Sequence, residues 1–321
     1  MADDNCAVGV DIGGTKMIVS FVSSQGQVIV EKETPTGSKA GPDEVIRTIV
    51  TEVERMRGRS AEKPHSLGVG VAGQVDERGV VRFAPNLDWR DVSLGPPLAG
   101  ALGLPVRVIN DVRASTIGEW RFGAARGVRD MVCIRIGTGV GGGVVSGDRL
   151  LIGDSNAAGE IGHMTVVAGG RKCTCPNSGC LEAYVGGWAI AQRAREAAKR
   201  SPAEAAVLLR RAQVKASGLD AGTLWQLASD GDPFAQRLIS ETRGYLAAGL
   251  VAIANIFNPR LIVAGGGVVG STGQFFEEAL AAARPQILPS IGESLRSTRA
   301  QLGANAVAIG AAAWAHEVRR G

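Results

Sequence analysis

Apolar and polar positions follow one arrangement twice along the chain. Residues 6–34 read as three strands: an apolar run ends at Asp11, Gly13-Gly14 breaks it, Met17 to Val22 follows, and the polar SSQGQ leads to Val28–Glu33. Residues 131–152 repeat the order, with a glycine turn from Gly137 to Gly143 and a polar turn from Ser146 to Arg149. Two such units, this far apart, point to two related domains and not to a solenoid. Between them the pattern predicts a helix over Pro42–Arg57, a strand over Ser66–Val71 and an irregular loop over 84–97. A short strand, Val106–Ile109, then runs into a helix over Val112–Trp120. Beyond residue 181 the helical period dominates. Ser201-Pro202-Ala203-Glu204 has the form of a capping box, and Asp232-Pro233 opens a helix that runs to Phe257. Leu261–Ala264 reads as a buried strand emptying into Gly265-Gly266-Gly267, and a last helix, about Ala306 to Arg319, is apolar on one face. Strands and helices mix throughout, so the class is α/β.

Composition narrows the function. The 321 residues are 45% hydrophobic with a net charge of +4. That is enough apolar material for two domains and excludes disorder. So small a positive surplus argues against nucleic acid as a partner. Arg193, Arg195, Lys199, Arg200, Arg210 and Arg211 therefore read as a solvated helix face. The acidic start has no apolar run of the signal-peptide kind. The longest weakly polar stretch, residues 244–257, falls short of the ~20 residues a membrane span needs. A soluble cytoplasmic protein with no membrane partner is expected, and five cysteines suit a reducing compartment.

Glycine is abundant, 45 of 321, about twice the ~7% of an average protein. It clusters after apolar runs, which suggests backbone turns that approach a ligand. G-x-G-x-x-G begins at Gly68, Gly137 and Gly265, but the first lies inside a predicted strand and the second leads into another strand. Only the third has a strand before it and room for a helix after it, so a Rossmann dehydrogenase is disfavoured.

Three groups of residues carry chemistry. Asp11, Gly13, Gly14, Thr15 and Lys16 place an acid, two glycines, a hydroxyl and an ammonium at a strand end, either as an ordinary hairpin or as a Mg²⁺–phosphate turn. Gly137-Thr138-Gly139 in the second unit favours the phosphate reading, since two such hairpins can hold one phosphate chain from both sides. His163, Cys173, Cys175 and Cys180 form a C-x-C-x₄-C run with an upstream histidine, a donor set of the kind tetrahedral Zn²⁺ requires; the alternative is three free cysteines in a loop. Glu160 and Glu182 flank it. Four protein ligands leave no open position, so such a zinc is structural. Asn110-Asp111 stands between a strand and a helix, where Asp111 is either an N-cap or a general base. Gly73 and Asn86 are polar-loop positions after strands.

Together and in this order, these pieces resemble the ROK family of sugar kinases and repressors, most closely its bacterial glucokinase branch. The matching segments are VGVDIGGTK at 8–16, APNLDW at 84–89, VINDVRASTIGEW at 108–120 and IGTGVGGGV at 136–144. They continue with AAGEIGHMTV at 157–166, CTCPNSGCLEAY at 173–184 and NPRLIVAGGGV at 258–268. Pro176 departs from the family's usual glycine in the cysteine motif, without touching a metal ligand. The resemblance implies two ribonuclease-H-like domains of the actin/hexokinase ATPase type flanking a cleft. The small domain would hold residues 1–111 and about 302–321, and the large domain 112–301. It implies ATP, Mg²⁺ and a structural Zn²⁺, a hexose substrate with glucose favoured, and a homodimer or homotetramer. Asp111 would be the base. Gly73, Asn86, Asn110, Glu160, His163 and Glu182 would hold the sugar. The turns at 13–16 and 137–139 would hold phosphates, with Gly265 and Gly266 near the adenosine. A family repressor would need an extra N-terminal DNA-binding domain, and Asp11 follows the first residue almost at once. A lesion in the cysteine loop is expected to harm sugar affinity more than nucleotide affinity, because the phosphate turns lie elsewhere in sequence.

Overall fold

The computed structural model describes residues 6–272 and 274–316. The chain forms two compact units, one of residues 1–129, 143–159 and 300–321, the other of residues 130–142 and 160–299.

The first unit is built on β1 (Cys6–Ile12), β2 (Lys16–Ser23), β3 (Val28–Pro35) and β4 (Pro64–Val71). A small sheet of β5 (Gln74–Val75), β6 (Val80–Ala84) and β7 (Trp89–Ser93) follows, and β8 (Val106–Asn110) returns to the main sheet. The main sheet has the order β3-β2-β1-β4-β8. It is antiparallel through the two hairpins and parallel from β1 to β4 to β8. Ile12 pairs with Val71 and Val71 with Asn110, so the carboxyl ends of the three parallel strands finish in one row.

The same plan recurs in β9 (Met131–Ile136), β10 (Val140–Ser146), β11 (Arg149–Leu150), β12 (Leu261–Gly265) and β13 (Arg296–Arg299), in the order β11-β10-β9-β12-β13. Again the first strand of the repeat is central, its hairpin strands lie on one side, and later strands add in parallel on the other. The boundary between units falls within β10. This is the duplicated α/β architecture expected of ribonuclease-H-like domains.

The last described helix, Ala306–His316, departs from expectation. It is buried on nearly all sides and not on one face; residues 317–319 of the expected helix lie outside the described residues. It packs against β1, β4 and the helix Asp111–Arg121. Small residues permit this approach. A Cβ on Gly9 would overlap the Ala308 carbonyl, one on Gly68 the Ala311 carbonyl, and one on Gly310 the Ala114 carbonyl. The glycine motif at Gly68 is thus a packing device, and only part of the glycine excess serves turns. Gly310→Val should cost at least the ~1–3 kcal/mol typical of an overpacked core. The measurement is the denaturant midpoint, which should fall; a wild-type midpoint would contradict so close a helix contact.

Three further readings are corrected. The expected loop over 84–97 contains a 3₁₀ turn at Pro85–Leu87, strand β7 and the start of a helix, Gly95–Leu102. Pro96 and Pro97 sit in the helix's first turn, where no backbone N–H is needed. The capping box at Ser201 does not close, since Glu204 pairs with Arg237 at 2.7 Å. Arg193 is not solvated: it is buried and donates to the Thr242 hydroxyl at 2.8 Å and to Glu241 at 2.7 Å. The helix Pro233–Phe257 has its expected bounds, with the Asp232 carboxylate accepting the Ala235 N–H at 3.0 Å. No helix among the described residues is long and apolar enough to cross a membrane.

Candidate active-site residues

In the first unit the site grows from the row of strand ends. Asn110 closes β8 and is the N-cap of the helix Asp111–Arg121. Its Oδ1 accepts the Arg113 N–H at 3.1 Å, while its Nδ2 donates to the Gly73 carbonyl at 3.1 Å and to Asp111 Oδ1 at 3.0 Å. Capping is therefore Asn110's task, and the N-cap reading of Asp111 falls. Asp111 is the first helical residue, half-buried, with its carboxylate oriented by Asn110. Gly73 is joined to this pair, and a Cβ there would meet the Phe83 carbonyl at 2.7 Å.

The turn after β1 lies along the same row. The Gly13 N–H donates to the Lys16 carbonyl at 3.1 Å. Two residues that spacing did not single out secure it: the Thr36 hydroxyl donates to the Gly13 carbonyl at 2.7 Å and the Ser38 hydroxyl to the Gly14 carbonyl at 3.1 Å. Gly14 lies against Asn86, whose carbonyl oxygen would be 3.3 Å from an added Cβ. The structure thus brings Asn86 to this turn. Thr15 and Lys16 are exposed, Asp11 is half-buried, and Lys16 Nζ reaches Glu33 Oε2 at 2.7 Å. The hydrogen bond to that carboxylate holds the ammonium above its ordinary pKa.

In the second unit, β9 and β12 run parallel and end together, with Arg135 beside Gly265. The Gly137 N–H donates to the Gly139 carbonyl at 2.9 Å, leaving Thr138 exposed at the turn's tip. Gly266 has φ 93° and packs on the Ile136 backbone, so both conformation and space demand glycine there. Gly137–Gly139 and Gly265–Gly266 are therefore neighbours at the carboxyl ends of two adjacent inner strands.

The same unit carries the histidine and cysteines. Glu160 precedes the 3₁₀ turn Ile161–His163, and the His163 N–H donates to its carbonyl at 3.0 Å. Donor atoms of His163, Cys173, Cys175 and Cys180 all lie within 4.8 Å of one another. Cys175 Sγ and Cys180 Sγ are 3.6 Å apart, as are Cys173 Sγ and His163 Nδ1. A tetrahedron with ~2.3 Å zinc–sulfur arms has edges of about 3.8 Å, so the donor set fits Zn²⁺. Burial, reinforced by the neighbouring sulfurs, pushes the Cys180 thiol up to about 12, and burial also raises Cys173. A divalent cation is what lets such thiols ionise. Glu182 is buried, and its carboxylate accepts the Val140 N–H at 2.9 Å and the Thr174 hydroxyl at 3.1 Å. The cysteine loop is thus bonded to the segment closing the second turn, a link that 42 residues of separation conceal.

Duplicated sheets of this order, each with a glycine turn at its strand ends, define the actin/hexokinase class of ATPase fold. The sequence matches the ROK family model over residues 7–318, and the chain belongs to that family. It is 36% identical over 262 residues to a glucokinase of Streptomyces coelicolor, covering 81% of each chain. Among solved structures, a ROK family glucokinase from Streptomyces griseus, in complex with glucose and AMPPNP, is 34% identical with a TM-score of 0.80, covering 98% of this chain and all of that one. A ROK hexokinase from Thermus thermophilus is 32% identical with a TM-score of 0.84, over the same shares.

Proposed function

We propose that this protein is an ATP-dependent glucokinase, converting glucose and ATP to glucose 6-phosphate and ADP, with Asp111 as general base. The observation that carries it is Asp111 at the carboxyl end of β8, relieved of capping by Asn110 and oriented by it. The family and its glucose-phosphorylating relatives support the same reading. Asp111 accepts the proton of the sugar 6-hydroxyl as that oxygen attacks the γ-phosphorus. Phosphoryl transfer passes through a loose transition state, so positioning and charge stabilisation supply most of the rate.

Gly73, Asn86, Asn110, Glu160, His163 and Glu182 hold sugar hydroxyls. Asn110 acts through Asp111 as much as by contact, because its amide is already committed. Gly13, Gly14, Thr15 and Lys16 in one unit, and Gly137, Thr138 and Gly139 in the other, serve the phosphates; Gly265 and Gly266 serve the adenosine. Asp11, a half-buried carboxylate at the end of β1 beside the proposed phosphate turn, suits Mg²⁺, which keeps most of its ligands as water and phosphate. Held there, Mg²⁺ would supply neutralisation of charge on the phosphates. His163, Cys173, Cys175 and Cys180 would hold a structural Zn²⁺, with the Nδ1 edge of the imidazole turned toward the Cys173 sulfur. The protein works in the cytoplasm, in glycolysis, as a homodimer or homotetramer. Residues 1–111 with about 302–321 serve as the small domain and 112–301 as the large one, a division that differs from the two compact units in where it puts 112–129 and 143–159.

Thr138→Val tests the partition of roles. The exposed hydroxyl of a glycine turn is placed for phosphate oxygens, and a bond to a charged group is worth ~1.5–3 kcal/mol, so KM for ATP should rise about tenfold or more. Sugar affinity should hold. Sugar binding lost with nucleotide binding retained would reverse the assignment.

A further inference from the structure

Glu182 joins two features that the sequence keeps apart. It is 9% exposed and stands two residues after Cys180. Its Oε2 accepts the Val140 N–H at 2.9 Å, and its Oε1 accepts the Thr174 hydroxyl at 3.1 Å and the Trp188 indole N–H at 3.4 Å. The segment that follows adds backbone bonds to the same turn. The Gly187 N–H donates to the Gly137 carbonyl at 2.9 Å and the Trp188 N–H to the Thr138 carbonyl at 3.1 Å. Gly139 sits so close that a Cβ on it would overlap the Glu182 carboxylate. Bonds to an ionised acceptor are the stronger kind, and a buried carboxylate satisfied on both oxygens fixes its partners rigidly.

We infer that Glu182 is a positioning residue for the nucleotide side of the reaction: it braces the Gly137–Gly139 turn against the cysteine loop, holding Thr138 where the phosphate chain binds. The inference rests on the kinase reading above and assigns Glu182 a task separate from any sugar contact. Oε2 accepts one bond and keeps a second lone pair for a hydroxyl, so the two tasks are compatible. The brace requires a carboxylate. Three N–H and O–H donors converge on it, with the Cys173 sulfur 3.9 Å from Oε1, and a glutamine would turn N–H groups toward one of them.

The test uses variants that leave Glu182 in place. Thr174 is exposed and Trp188 half-buried, so Thr174→Val and Trp188→Phe remove donors without opening the core. Binding of a non-hydrolysable ATP analogue and of glucose is titrated separately, with zinc content measured on the same samples. The double variant should bind the analogue about tenfold more weakly, as expected for loss of bonds to a charged acceptor, with glucose affinity and zinc content unchanged. Glu182→Gln should weaken the analogue further. Unchanged analogue affinity in the double variant, with glucose binding lost only in Glu182→Gln, would overturn the brace and leave a sugar ligand. Loss of zinc from Thr174→Val would also overturn it, by making that hydroxyl a support of the metal loop. A wild-type protein that binds no analogue would defeat the kinase reading and this inference together; wild-type and variant proteins that bind it equally would defeat this inference alone.

Discussion

Asp111→Asn should lower kcat by about 10²–10⁴-fold, the range for loss of a general base. The substitution keeps the shape of the side chain and removes its capacity to take a proton. Asn110 would still cap the helix through the Arg113 N–H, so the local fold should persist. The Asn110 amide now donates to Asp111 Oδ1 at 3.0 Å, and an asparagine oxygen in the same place can accept that bond. Glucose binding should therefore survive in weakened form, and the loss should fall mainly on kcat, with only a small rise in KM. Rapid-quench or coupled kinetics at saturating glucose and ATP would measure it. Activity within a few-fold of wild type would remove Asp111 from the base's role.

Removal of the metal ligands has the second large effect. The wild-type protein should contain one Zn²⁺ per chain, because three thiolates and an imidazole with these separations suit zinc better than iron or magnesium. Cys175→Ala breaks the contact with Cys180 and should release the metal. Structural zinc supplies folding free energy, so the loop from Thr165 to Cys180 should lose order and the melting temperature should fall. His163 and Glu160 share one turn and would lose their placement against the sugar. Glucose phosphorylation should drop by at least the ~10–100-fold seen when even the outer support of a metal site is lost. Excess Mg²⁺ should not restore it. Nucleotide affinity should fall as well, through Glu182, where sequence separation alone had set the turn apart from the metal. Fully active protein that contains no zinc would return the three cysteines to an ordinary loop.

The strand grammar was legible because its signals are local. The runs ending at Asp11 and Ile136, each closed by a glycine turn, became β1 and β9 at the centres of two sheets of the same order. The helices opened by Pro42 and by Asp232-Pro233 have the bounds that their start and stop residues indicate. The clustering of Cys173, Cys175 and Cys180 was legible for the same reason, since the three sulfurs lie on one short loop. What spacing could not give was long-range packing. Gly9, Gly68 and Gly310 serve a helix that meets its sheet only after the chain has returned near its end, and no window of sequence contains both partners. The prolines at 96 and 97 looked like loop residues because a proline in a first helical turn and one in a loop are alike without the tertiary frame. Asn110 and Asp111 were separable only by hydrogen bonds: either can cap a helix, and the structure gives the cap to Asn110. Glu182 was visible as a carboxylate near cysteines, but its bond to the Val140 N–H had no signal in the sequence.

The most direct measurement is a steady-state assay of the purified protein across a sugar panel, with ATP and polyphosphate supplied separately. Glucose, N-acetylmannosamine, N-acetylglucosamine, fructose, mannose and allose should each be tested, with product position checked by a glucose 6-phosphate-specific coupling enzyme. Glucose with ATP should give the highest kcat/KM and yield glucose 6-phosphate. A higher kcat/KM for another sugar or for polyphosphate, or no phosphorylation of any hexose, would contradict the assignment.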